Sequence, residues 1–310
     1  MREFLNKREI RERYSKTSGW YYEAGRTLYS GRSDFQDIEL VETEEFGTSL
    51  LLDGATQVME KVEFQYHEPM VHLPLLAHEN PRRLLIIGGG DGGSLREVLR
   101  HPSVYQVDFV ELDRKVVEFS RTHLADINAG AFDNPKVKTY FTDGRDFVEK
   151  SDPAVYDVII MDMTDPAGPA LRLYTQEFFR AVKKLLKGEE SFFIMHSESP
   201  EARPAAFARI HRTLKSVFPI VRGSYNFIRM YGTLWSFAIA SAGTDPAGIS
   251  GDRISERIEE RKLCPLKLIS SGAWSAFFAE YPYIQALLSE KGDISTDAAP
   301  DFPDEFDPRS

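Results

Sequence analysis

Two different periods of apolar and polar residues divide the chain. Up to about residue 75 the apolar positions fall in short extended runs. There, 37–42 and 48–52 read as strands, and Asp53-Gly54 is a hairpin turn signal before the next extended piece. From Arg83 the pattern changes to short apolar runs alternating with amphipathic stretches. Strands are expected at 84–87, 107–112, 137–141, 155–161 and 191–195, with helices between them, notably 114–123 and 175–187. Alternation of this kind makes an α/β fold with a parallel sheet and helices on both faces. A helix over 205–218 precedes a closing pair of strands near 220–225 and 234–240, and 250–290 reads as helical. The stretch from Gly292, rich in Asp and Pro, is expected to be loose because it is too polar to pack. The division that follows is a β-strand domain over 1–76, an α/β domain over 77–290 and an acidic, flexible tail over 291–310.

Composition narrows the class. The 310 residues carry a formal net charge of −10, which disfavours nucleic acid and anionic membranes as partners and suits cationic ligands. The single cysteine, Cys264, excludes an intrachain disulfide and a thiolate metal cluster. The first residues, MREFLNKREIRERY, contain no apolar stretch of the signal-peptide kind, and no run approaches a membrane span. A cytoplasmic protein is expected.

The stretch LLIIGGGDGG, 84–93, is the centre of the pattern: a buried strand runs into glycines that open a helix. Gly88, Gly90 and Gly93 satisfy GxGxxG, a weak signal alone. Asp91 is more informative. A carboxylate in that turn repels phosphate, so the expected ligand is a nucleoside without phosphates and with positive charge nearby.

Acids recur at the ends of the following strands, where an open parallel sheet binds its ligands. Glu111 lies twenty-three positions beyond Gly88, a spacing suited to ribose hydroxyls, and Asp143, Asp162 and Asp165 end the next two strands. Any one of them could be a helix cap or a solvated loop residue. Together they form one acidic face. Glu111 and Asp143 suit ribose and the adenine amino group, leaving Asp91, Asp162 and Asp165 to attract a cation. Carboxylates without nearby histidine would suit Mg²⁺ or Ca²⁺, but a metal is disfavoured because Mg²⁺ sites of this type serve phosphates, and no G-x-S-x-G elbow supports hydrolysis. His67, His72, His78 and His101 are scattered, and as lone histidines most are expected to be structural or exposed. Upstream, Glu63-Phe64-Gln65-Tyr66-His67-Glu68 reads either as the start of an amphipathic helix or as the lining of a substrate pocket. The turn-rich 165–169 reads either as a gate or as a fixed turn.

Taken together, FQDIELVET, LLLDGATQ, EFQYHEPMVHLPLLAHENP, LLIIGGGDGGSLREVLRHPSV, FVELD, GAFDNPKV, TDGRDF and YDVIIMDMTDPAGPA resemble the polyamine aminopropyltransferases, the spermidine synthase family, over about 25–245. The resemblance implies a small N-terminal β-domain and a Rossmann-like, methyltransferase-type domain, assembled as a homodimer or homotetramer. The implied activity moves the aminopropyl group of decarboxylated S-adenosylmethionine to an amine and releases methylthioadenosine, without metal or resident cofactor. Carried onto this sequence, Gln36, Gln57, Glu111 and Asp143 hold the donor, with Gly88, Gly90 and Gly144 in the turns around it. Asp91 grips the terminal ammonium of the aminopropyl arm, Asp162 is the general base and Asp165 binds the acceptor amine. Tyr66, His67 and Tyr231 line the acceptor channel.

Two departures bear on the acceptor. Val62 stands where many spermidine synthases have an acid, and Tyr231-Gly232-Thr233-Leu234-Trp235 has the shorter aromatic spacing of spermine and thermospermine synthases. The end of the chain resembles agmatine and triamine aminopropyltransferases, whereas Ser197-Glu198-Ser199-Pro200 resembles ordinary spermidine synthases. Putrescine is the first expectation, with spermidine and agmatine as alternatives. The rival readings are a methyltransferase using intact S-adenosylmethionine, an NAD-dependent dehydrogenase and a non-catalytic polyamine sensor. Asp91 counts against the first two.

Overall fold

The computed structural model describes residues 7–166 and 168–302. Strands β1 (Arg8–Arg13) and β2 (Gly19–Ala24) pair as a hairpin, and β3 (Thr27–Arg32), β4 (Asp37–Thr43), β5 (Gly47–Leu52) and β6 (Ala55–Met59) form an antiparallel meander. The Asp53-Gly54 turn closes β5 onto β6 with both residues at positive φ, 50° and 82°, the backbone a primed hairpin turn requires.

Helix α1 (Phe64–Ala77) follows, then β7 (Arg83–Gly88), α2 (Gly93–Leu99), β8 (Gln106–Glu111), α3 (Arg114–His123), α4 (Ala125–Asn128), β9 (Val137–Phe141), α5 (Gly144–Lys150) and β10 (Val158–Asp162). The chain continues through α6 (Gln176–Leu185), β11 (Phe192–His196), α7 (Pro204–Lys215), β12 (Ile220–Ile228) and β13 (Thr233–Ser241) to α8 (Gly251–Glu260), α9 (Trp274–Phe277) and α10 (Pro282–Ser289). The large sheet has the order β12-β13-β11-β10-β7-β8-β9, with β13 antiparallel to both neighbours and the other pairings parallel. Because β7 is covered on both sides, its apolar run is continuous: Leu84 and Ile86 enter one core, Leu85 and Ile87 the other. Strand order reverses between β7 and β10, so their carboxyl ends flank the crevice where open α/β sheets take ligands.

Three expectations need correction. The boundary at residue 76 assigned α1 to the N-terminal β-domain, but this helix is buried on nearly every side against α2 and the large sheet. Burial of its polar residues His67, Glu68 and His72 beside the apolar ones, together with the internal Pro69 and Pro74, blurred the helical period. Next, 250–290 is not continuously helical. Between α8 and α9 the backbone N–H groups of Lys267, Leu268 and Ile269 donate to the buried Glu68 carboxylate. From α8 and just beyond it, Arg257 and Arg261 donate to the carbonyls of Leu75, Leu76, Ala77 and His78, so cations complete the C-terminal end of α1.

Last, the tail packs at least as far as Phe302, while the expectation for 303–310 lies outside the described residues. Asp297 takes a two-pronged bond from Arg145 at 2.7 and 2.5 Å, and Ser295 O accepts the Gln176 N–H at the start of α6. Phe302 is buried in the second core against Tyr174, with Arg209 over its ring. Local polarity misled because the matching cations and cavity lie far upstream. Phe302→Ala is therefore expected to lower stability by about 2 kcal/mol, read as a lower urea midpoint at unchanged slope, less than a central core phenylalanine because a chain end relaxes easily.

Candidate active site

The crevice is built from two strand ends locked together. Asp162 pairs in register with Gly88, and the Gly89 N–H donates to the Asp162 carbonyl at 2.7 Å. This brings the Asp162 side chain over the glycine turn, where Oδ1 accepts the Tyr66 hydroxyl at 2.9 Å and Oδ2 accepts Ser94 Oγ at 2.6 Å. Burial, then the nearby Asp91 charge, pushes the Asp162 carboxyl above the ordinary carboxylate range.

Asp91 goes the other way. Burial alone would raise it, but the His67 charge and hydrogen bond and the Gly93 N–H at 2.6 Å outweigh that and hold it low. His67 is set between two carboxylates, with Glu63 Oε2 2.6 Å from Nδ1 and Asp91 Oδ1 3.5 Å from Nε2. Although burial disfavours its charge, Asp91 and Glu63 raise its pKa to about 10, so it is an imidazolium at neutral pH. Glu63 is backed by Arg96 at 2.9 and 3.1 Å. The two central acids thus have opposite protonation tendencies set by their neighbours.

On the β8 side, Glu111 Oε1 accepts the Asp113 N–H at 2.9 Å, and burial still lifts its carboxyl to about 7. Gly90 has to lack a side chain because a Cβ there would stand 2.9 Å from Val116 and 3.2 Å from Glu111 Oε2. Asp143 caps α5 by accepting the Asp146 N–H at 3.0 Å, and Gly144 packs over Ile87. Gln36 reaches this side from the meander, donating to Asp113 at 3.1 Å. Gln57 stands apart from it: its side-chain amide turns back to the Ala55 carbonyl, and its backbone carbonyl accepts the Tyr231 hydroxyl at 3.3 Å.

Beyond Asp162 lies an aromatic and acidic end. The Tyr231 ring is 6.0 Å from Tyr66 and 4.6 Å from Trp235. Asp165, His196 and Glu198 bring potential ligand atoms within 4.8 Å of one another, and Arg203 lies 3.5 Å from Asp165. Such a trio could hold a cation of some kind. His196 is neutral because burial depresses its pKa, and its Nε2 pairs with the Tyr174 hydroxyl at 2.8 Å. In β1, Glu12 also feels the Asp165 and Arg203 charges, so the N-terminal hairpin contributes to this end. Of the turn-rich 165–169, Ala167 lies outside the described residues.

Residues 63–247 match the family model for the spermine/spermidine synthase domain, and residues 10–60 match that for the spermidine synthase tetramerisation domain. The chain belongs to the spermidine synthase family. A polyamine aminopropyltransferase of Nitrosomonas europaea is 40% identical over 279 residues, covering 90% of this chain and 85% of the relative. One of Bacillus cereus is 42% identical over 246 residues, covering 79% and 88%. A spermidine synthase solved with the transition-state analogue AdoDATO superposes with a TM-score of 0.85 at 36% identity, over 93% of this chain and 98% of that one. The spermidine synthase of Thermotoga maritima gives 0.84 at 35% identity, over 93% and 97%. Like its relatives, this chain is an aminopropyltransferase.

Relative to that family site, sequence reasoning singled out no role for Ser94, His196, Glu198, Arg203 or Glu12. Ser94 directly follows GGGDGG, a position from which a hydroxyl can reach the facing strand end. Nothing local marks the others. The scattered His72 and His101 lie behind the crevice in a buried network with Glu97, at 2.9 and 2.8 Å.

The imidazolium has a consequence for stability. His67 is raised from its ordinary 6.5 to about 10, so its contribution is complete below pH 6.5 and is lost as pH climbs through 10. Glu63→Gln removes one of the two carboxylates, and is expected to cost about 3 kcal/mol at neutral pH and to move the alkaline loss to lower pH. Urea unfolding from pH 6 to 10 checks this, and an unchanged pH profile would rule it out.

Proposed function

We propose that this aminopropyltransferase takes decarboxylated S-adenosylmethionine as donor and putrescine as preferred acceptor, yielding spermidine and methylthioadenosine. The observation that carries the reading is the pairing of an ionised Asp91 with a base-like Asp162 across one crevice. Asp91 accepts the ammonium of the aminopropyl arm, which decarboxylation leaves without a carboxylate, and it would repel intact S-adenosylmethionine. Glu111 takes the ribose hydroxyls, with Gln36 and Asp143 on the same side toward the nucleoside. Gln57, adjoining Tyr231, serves the boundary between donor and acceptor.

The acceptor amine arrives protonated, since its pKa lies near that of lysine, and has no lone pair until a proton leaves. Asp162 takes that proton while the Tyr66 and Ser94 hydroxyls fix its two oxygens. The nitrogen lone pair then attacks the aminopropyl carbon, the carbon–sulfur bond breaks, and its electrons neutralise the sulfonium to a thioether. Positioning in line supplies much of the acceleration, and the sulfonium supplies the leaving group. Tyr66, His67 and Tyr231 wall the amine channel, and Asp165 with Glu198 takes the distal ammonium. No metal or bound cofactor has a role in this scheme.

A triamine acceptor is the second reading, favoured by the short Tyr231–Trp235 spacing. Assembly into a homodimer or homotetramer through the N-terminal strands is part of the proposal, supported by the family model matched there. So is action in the cytoplasm, a setting that suits the free, exposed Cys264. Product analysis by mass spectrometry tests the donor and the acceptor. The purified protein receives the donor with putrescine, agmatine, spermidine or no amine, and putrescine is expected to react fastest. Faster reaction of spermidine or agmatine would replace the acceptor. Absence of methylthioadenosine with every amine would overturn the donor assignment.

A further inference from the structure

The far end of the amine crevice already contains a cation that belongs to the protein. Arg203, the residue before α7, places Nη1 3.5 Å from Asp165 Oδ2 and 3.8 Å from Glu198 Oε1. Its backbone N–H is held by the Ser199 carbonyl, so the anchor point is fixed independently of the side chain. The side chain itself is 17% exposed.

Glu198 is unusual in three respects. It is 1% exposed, its backbone sits at φ 66°, and no hydrogen bond of good geometry reaches either carboxylate oxygen among the described residues. A buried carboxylate is ordinarily paired and hydrogen-bonded, and non-glycine residues in the left-handed region gather where function requires them. Burial and the Asp165 charge push its carboxyl to about 8, with Arg203 opposing. The Asp165 and Glu198 carboxyl groups suit this end to a positively charged group, and the nearest such group is the Arg203 guanidinium.

We propose that the Arg203 guanidinium occupies, in the empty enzyme, the place of the acceptor's second ammonium, so that a diamine has to displace it. Arg203 thereby sets how strongly the site discriminates a doubly charged amine from a singly charged one. The inference rests on the aminopropyltransferase reading for the identity of the ligand, but not for its test. A like charge a few ångströms from an arriving ammonium opposes binding in a poorly solvated site, whereas an amine with an apolar far end never meets it.

Calorimetric titration of putrescine and of butylamine into the methylthioadenosine-loaded protein separates the two cases. Arg203→Gln is expected to tighten putrescine about tenfold and to leave butylamine within about twofold, since only the diamine carries the opposed charge. Arg203→Lys keeps the charge and is expected to stay near the parent for both amines. Unchanged or weaker putrescine binding by Arg203→Gln overturns the proposal, as does equal tightening of both amines or no amine binding to either protein. The expected binding pattern in a protein that transfers no aminopropyl group would sink the functional reading and leave Arg203 in its assigned place.

Discussion

Asp162→Asn is expected to lower kcat by about a thousandfold while leaving donor binding within about threefold, as befits loss of a general base from an intact site. The substitution keeps shape. The Asn carbonyl can still accept the Tyr66 hydroxyl at the Oδ1 position, and its amide faces Ser94 Oγ, which can turn to accept. What disappears is the group that takes the proton from the ammonium. Stability should not fall, because a buried carboxyl held above its ordinary range is costly wherever it is ionised. Rapid-quench turnover, donor titration and thermal unfolding on one preparation check all three. Substantial activity in the Asn variant would remove Asp162 from its role, and a lost Tm with lost activity would make the residue structural.

Gly88→Ala is expected to cost about 3 kcal/mol and to abolish donor binding, from left-handed strain and overpacking together. Gly88 sits at φ 82°, and a Cβ there would stand 2.1 Å from the Asp162 carbonyl oxygen and 2.7 Å from Met163 Sδ. The obstruction is backbone, so it yields only if β7 and β10 separate, and their separation carries Asp162 away from Asp91. Gly54 provides the control. It has the same φ of 82° but nothing within 4 Å of a built Cβ, so Gly54→Ala should lose only the backbone term, about 1 kcal/mol. Urea unfolding of both variants distinguishes crowding from strain. Equal losses would show that the strand contact at Gly88 is not rigid.

Legibility along the chain followed how local the cause was. The strand of LLII, the helix Arg114–His123 and the Asp53-Gly54 hairpin are each written in a few neighbouring residues. The acids at the strand ends were readable because a parallel sheet brings those ends together whatever fills the loops. Only the start of α1 was readable, and as one of two alternatives, since burial on all sides weakens periodicity and its prolines suggest a break. The tail failed for a related reason. Asp297 and Phe302 look like solvated residues until Arg145 and the Tyr174 cavity, more than a hundred positions away, are placed beside them.

By itself the sequence determined the α/β alternation, the glycine turn with a carboxylate in it and the row of acids at the strand ends. These follow from burial on two faces of a sheet and from the charge of single side chains, both of which act over short stretches of chain. Only the tertiary structure decided which acid binds a proton more tightly. His67 and Gly93 lower Asp91, whereas burial and Asp91 itself raise Asp162. It also decided that Arg203 lies between Asp165 and Glu198. Proton affinities and ion pairs depend on desolvation and on distances of a few ångströms between segments remote in sequence, and those exist only once the chain has folded.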